Sequence, residues 1–131
     1  MKVAVRYLSR SGNTKSLAEA IAKGAGTIAV SADAPDAALT EPAEVLFIGG
    51  ALYAYGIDNR LKDYLGTLRQ EQVGKAVIFS TSWLSKHAIT IIRKALTEKG
   101  IEVVPEVCYV RGKPKEKALV EAEEFAKQFL A

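Results

Sequence analysis

Apolar and polar positions alternate along the chain in two distinct periods. Short, almost uninterrupted apolar runs occupy Val3 to Leu8, Thr27 to Val30, Val45 to Ile48, Lys75 to Phe79, and a stretch beginning at Ile101. Each has the length and composition of a buried strand. Between them, apolar residues recur at helical spacing: Leu17, Ala18, Ile21 and Ala22, then Leu61, Tyr64, Leu65 and Leu68. The same spacing returns at Ala88, Ile89, Ile92, Ala95 and Leu96, and at Leu119, Ala122, Phe125, Ala126 and Phe129. Each set predicts an amphipathic helix with one face laid against a sheet. Gly24 with Gly26 and Gly100 stop two of these helices, Gly74 marks a break, and Asp58 is a good N-cap. The last helix is expected from about Lys115 to Leu130. Ser31 to Glu41, rich in Ala and Asp with Pro35 inside, is expected to hold one weak helix before Pro42 bars continuation. Pro105 should interrupt or bend the fifth strand, with Val107 to Val110 as its continuation.

Five strands alternating with five helices imply a parallel, doubly wound α/β sheet, with crossover helices covering both faces. Ligands of such sheets sit beyond the carboxyl ends of the strands. The 131 residues suit one domain, spanning 1–131. One cysteine, Cys108, and one histidine, His87, exclude an internal disulfide and disfavour a metal cage. Cys108 reads as a buried, inert thiol in a strand, and His87 as a surface or capping residue at a helix start. No apolar run approaches the roughly 20 residues of a membrane span, and the start of the chain reads as a first strand rather than a leader. A cytoplasmic monomer, with no membrane and no nucleic acid as partner, is the expectation. The net charge of +3 is mild and mixed in sign along the chain. The one basic cluster, Arg111 to Lys117, is interrupted by Glu116 and reads as a solvated loop entering a helix.

The carboxyl-end rule can be tested on the loops. After the first strand come Ser9, Arg10, Ser11, Gly12, Asn13 and Thr14, just where a helix begins. Hydroxyls and backbone N–H groups at a helix N-terminus suit an anion such as a phosphate; they also suit a plain helix cap. After the third strand come Leu52, Tyr53, Ala54, Tyr55 and Gly56, and after the fourth Ser80, Thr81, Ser82 and Trp83. An anion cradle flanked by aromatic rings suits a planar ligand that carries a phosphate. Other chemistries on this architecture lack their residues. No Walker loop or Gly-x-Gly-x-x-Gly follows the first strand. Ser9-Arg10 and Gly49-Gly50 stand where a receiver domain needs carboxylates.

Ser9 to Thr14 resembles the hydroxyl-x-hydroxyl-Gly-x-Thr phosphate loop of flavodoxins. Gly50 to Gly56 resembles the family's first flavin-ring loop, and Ser80-Thr81-Ser82-Trp83 the second, with its stacking aromatic. The resemblance covers essentially the whole chain and is to the short-chain type. It implies a three-layer α/β/α sandwich with a five-stranded parallel sheet of order 2-1-3-4-5, and noncovalent binding of FMN. It implies an electron carrier that meets redox partner proteins transiently. The phosphate would lie on Ser9, Ser11, Asn13 and Thr14 with Gly12 giving close backbone approach. Tyr53 to Gly56 and Ser82-Trp83 would flank the ring, with Gly56 as the flexible glycine beside it. Two alternatives remain: a flavodoxin-domain oxidoreductase of the quinone reductase or protoporphyrinogen oxidase type, and a flavin-free binding module. The chain departs from the usual acidic character of flavodoxins. Arg10 should either reinforce the phosphate or face a partner, and Arg10 and Lys86 together should make the flavin potential less negative than is usual.

Overall fold

The computed structural model describes residues 2–54, 56–83 and 85–130. Five parallel strands form one sheet: β1 (Val3–Tyr7), β2 (Ala29–Ser31), β3 (Ala43–Gly50), β4 (Val73–Thr81) and β5 (Val103–Val110). Their order is β2-β1-β3-β4-β5. Four α-helices connect and flank them: α1 (Asn13–Ala25), α2 (Asn59–Thr67), α3 (His87–Thr97) and α4 (Glu116–Lys127).

Two-residue alternation along the strands divides the core. Val5, Tyr7, Val45, Phe47, Val77 and Phe79 meet Leu17, Ile21, Ala122 and Ala126 of α1 and α4 on one face. Ala4, Leu46, Ile48, Ala76 and Ile78 meet Leu61, Leu65, Ile92 and Leu96 of α2 and α3 on the other. Phe47, Phe79, Leu17 and Ile92 are fully buried, and each such side chain contributes about 1.5–3 kcal/mol relative to exposure. The helices after β1 and β3 therefore leave toward opposite faces. That divergence opens a crevice between two adjacent strands at their carboxyl ends, the expected ligand position in such a sheet.

One expectation is corrected. Ser31 closes β2, and the segment from Ala32 to Glu41 forms turns and irregular chain, not the weak helix expected over Ser31 to Glu41. Its anchor is the carbonyl of Ala37, which accepts from Arg6 Nε at 2.7 Å and from the Tyr64 hydroxyl at 2.8 Å. Arg6, the one charge in β1, is therefore a buried crosslink to this segment; its Nη1 also donates to the Val5 carbonyl at 3.1 Å. Pro105 interrupts the ladder of β5 without ending the strand, which continues through Val107 to Val110 as expected. The register jumps from Ala76↔Val103 to Ile78↔Val107, so the proline sits in a bulge. A bulge on an edge strand accommodates a residue with no N–H to give to the ladder. Among the described residues, no helix is long and apolar enough to cross a membrane.

Candidate functional site

The loop after β1 turns sharply into α1. Gly12 is the N-cap, with φ of 94°, a left-handed conformation that an L side chain adopts only at a cost. The loop braces itself: the Gly12 N–H donates to Ser9 Oγ at 3.0 Å, and the Asn13 N–H to Ser11 Oγ at 3.4 Å. Thr14 is buried, and its hydroxyl lies 2.6 Å from that of Thr81. This contact ties the start of α1 to the end of β4. Ser80 donates to the Gly50 carbonyl at 2.6 Å, and Ser82 Oγ accepts from the Leu52 N–H at 3.1 Å. Hydroxyls thus stitch the three loops at the carboxyl ends of β1, β3 and β4 together.

The loop after β3 is a tight turn. Tyr53 and Gly56 exchange both backbone hydrogen bonds, at 2.7 and 3.0 Å, and Ala54 takes a positive φ of 52°. Arg10 clamps this turn to the first loop. Its guanidinium lies 3.9 Å from the Tyr53 ring centroid, its Nε donates to Asp58 Oδ2 at 2.8 Å, and its backbone N–H donates to the Tyr53 hydroxyl at 3.2 Å. Hydrogen bonds from the Arg60 side chain, and then from Arg10, hold the Asp58 carboxyl well below the usual carboxylate range, against burial, which pushes it up. Arg10 therefore neither lines the cleft nor stands free for a partner; it is a latch.

The loop after β4 presents Trp83, with 64% of its surface exposed. Its indole rests on Gly112 of the loop after β5, where φ is +72° and a Cβ would fall 2.6 Å from the ring. The Trp83 carbonyl accepts from Arg111 Nε at 3.0 Å, and the Ser82 carbonyl from the Tyr109 hydroxyl at 2.7 Å.

Between these loops lies a cleft of about 280 Å³, lined by Ser11, Asn13, Ala51, Leu52, Tyr53, Thr81, Ser82, Trp83 and Gly112. The structure therefore brings together Ser11, Asn13, Leu52, Tyr53, Thr81, Ser82 and Trp83 of the residues singled out in the sequence. Ser9, Gly12, Thr14 and Ser80 brace the walls from behind, Arg10 latches them, and Ala54 shapes the turn. Gly56 lines a different hollow, between α2 and α3, with Ile57, Lys62 and Ile91 among its neighbours. Tyr55 lies outside the described residues. Gly112 was missed by sequence reasoning. Its signal was a glycine directly after the fifth strand, at the same sheet edge as the other three loops. Cys108 is half-buried, and burial, helped by Glu121, pushes its thiol up to about 11, so the thiolate is scarce at neutral pH. His87 opens α3, its backbone N–H donating to Ser85 Oγ at 2.9 Å. Among the described residues, no group of His, Cys, Asp and Glu could hold a metal ion.

No protein-family model matches the chain, and no curated protein does either. Solved structures do. A flavodoxin from the domain Archaea superposes with a TM-score of 0.84 at 26% identity, over 98% of this chain and 95% of that one. Flavodoxin 1 from Bacillus cereus superposes with a TM-score of 0.80 at 20% identity, over 100% of both chains. The Flv1 flavodiiron core from Synechocystis sp. PCC6803 gives a TM-score of 0.83 at 22% identity, over 98% of this chain but only 35% of that chain. The sheet order, the four flanking helices and the end-to-end match to complete flavodoxins make this chain a short-chain, flavodoxin-like protein.

Proposed function

We propose that this protein binds FMN in the cleft between the loops after β1, β3 and β4 and carries electrons between redox proteins. One observation carries the reading: a helix N-terminus, four polar residues and two aromatic residues converge on one cleft of about 280 Å³. The donor set fits a flat ring with a phosphate at one end. Ser11, Asn13 and the N–H groups at the start of α1 would hold the phosphate, where the helix dipole adds attraction. Leu52, Tyr53 and Trp83 would flank the ring and keep water from it. Bound flavin supplies the chemistry, accepting and releasing electrons one or two at a time. The chain's part is to bind, to orient and to exclude water. It keeps its hydroxyls satisfied within the scaffold: Thr14 on Thr81, Ser80 on Gly50, Ser82 on Leu52.

Titration with FMN tests the reading. Trp83 is the only tryptophan and lines the cleft, so tryptophan fluorescence reports on the cleft wall and should be quenched as FMN binds. Riboflavin, which lacks the phosphate, should bind more weakly by about tenfold or more, because charge-assisted hydrogen bonds to the phosphate contribute about 1.5–3 kcal/mol. No quenching and no change in flavin absorbance at tens of micromolar FMN would sink the proposal.

A further inference from the structure

The far side of Trp83 carries a second feature. There, Trp83, Ser85, Lys86, Tyr109 and Arg111 line an open notch of about 320 Å³. Trp83 also lines the flavin cleft, so its indole is the wall between the two. The notch is strongly one-signed. The chain has no Asp or Glu between Glu71 and Glu98, nor between Glu106 and Glu116, and the loops around the notch come from those two stretches.

The conformation of the loop after β5 concentrates this charge. Arg111, Lys113 and Lys115 are exposed, while the intervening Gly112 and Pro114 are buried. Three exposed cations thus lie within five residues of this loop, the first of them lining the notch. Among the described residues, none of Lys86, Arg111, Lys113 and Lys115 is in an ion pair. Cations elsewhere are often matched: Arg10 and Arg60 on Asp58, Lys2 on Glu41, Lys23 on Glu123, Lys127 on Glu124. Lys86 instead lies 5.2 Å from the centroid of the Tyr109 ring.

The geometry points to a docking surface for the acidic face of a partner protein, centred on Trp83 and Tyr109 and rimmed by Lys86, Arg111 and Lys113. Unmatched cations cost little in water but gain when a complementary surface approaches, chiefly through faster and correctly oriented encounter. Trp, Tyr and Arg are the residue types that carry most of the energy in protein interfaces. A nucleic acid fits less well. A strand needs a groove with successive aromatics for successive bases, and the notch offers one exposed indole. Docking here would bring the partner against Trp83, the wall of the flavin cleft, but the unmatched cations are present whether or not flavin is bound.

The test is a titration of isotope-labelled protein with cytochrome b5, a small protein with an acidic face, followed by backbone amide NMR shifts. Shifts should concentrate on residues 82–87 and 109–115. Affinity should fall by about tenfold or more between ~20 and ~200 mM NaCl. The triple variant Lys86→Gln, Arg111→Gln, Lys113→Gln should fall by a similar factor at low salt, with an unchanged amide spectrum elsewhere showing that it is folded. Absence of binding at low salt, shifts scattered over the chain, or full affinity in the triple variant would each overturn the proposal. So would tighter binding of a short DNA duplex or of anionic vesicles by the same residues. The measurement needs no flavin. A chain that ignores FMN but binds cytochrome b5 here removes the proposed function alone; one that binds FMN but not cytochrome b5 removes the docking surface alone.

Discussion

Asp58 is buried, at 5% exposure, yet it faces two guanidinium groups and caps α2 through the Arg60 N–H at 2.8 Å. Its folded carboxyl is held below the value it has in the unfolded chain. The stability this contributes is therefore fully present above the unfolded pKa, about 4. It is lost as pH falls from there through the folded value, because the unfolded state then binds more protons. Asp58→Asn, which keeps a capping side chain, should be less stable than the parent at pH 7, and the gap should close progressively below about pH 4. Urea midpoints at pH 7, 4 and 3 measure this; a gap independent of pH would mean the charge is not what matters. Arg10 behaves differently because its side chain is half exposed, and exposed pairs contribute roughly 0–1 kcal/mol. Arg10→Ala should leave the melting temperature nearly unchanged but loosen the Tyr53 turn and weaken FMN binding. Arg10→Lys separates the causes, since an ammonium keeps the charge but loses the planar stack on Tyr53. Affinity restored by Lys would indicate a role for charge, and affinity still reduced would support the latch.

At the scale of elements, the strands and amphipathic helices were legible because burial on one or two faces writes a period into the sequence. The Ser31 to Glu41 segment was not. It looks weakly helical because its composition favours helix, but it is ordered by Arg6 and Tyr64, residues distant in sequence that bond to the Ala37 carbonyl. No local pattern encodes such a contact. The functional loops were readable as locations, since the topology sends them all to one end of the sheet. Which hydroxyls face the cleft and which are spent on bracing was not readable, because Thr14 and Thr81 find one another across two elements. Gly112 belongs with these. It is the floor beneath Trp83, and both its φ and the 2.6 Å approach demand glycine. Gly112→Ala should cost about 1–2 kcal/mol for the left-handed backbone. It should also push the indole off its seat. Acrylamide quenching of Trp83 should rise and FMN affinity should fall together; an unchanged quenching constant would show that the indole is not held by this contact.

For the molecule as a whole, the +3 charge matters less than its distribution. Both Arg10 and Lys86 look, from sequence, able to stabilise negative charge on a reduced flavin. The structure separates them. Arg10 is matched by Asp58 at 2.8 Å, so at any distance beyond the pair its field is largely cancelled. Lys86 and Arg111 have no carboxylate partner among the described residues and lie on the far side of the cleft wall, so their fields add. If FMN occupies the cleft, these two residues should raise its reduction potential, and Arg10 should not. Lys86→Gln with Arg111→Gln should lower the midpoint potential, and Arg10→Gln should change it less. The shift should shrink as ionic strength rises, since both cations are exposed and the Debye length falls from about 10 Å at 0.1 M salt to about 3 Å at 1 M. Spectroelectrochemical titration of the three proteins at low and high salt gives the answer. An Arg10→Gln shift equal to or larger than that of the double variant would mean that ion pairing does not decide which cations the flavin senses.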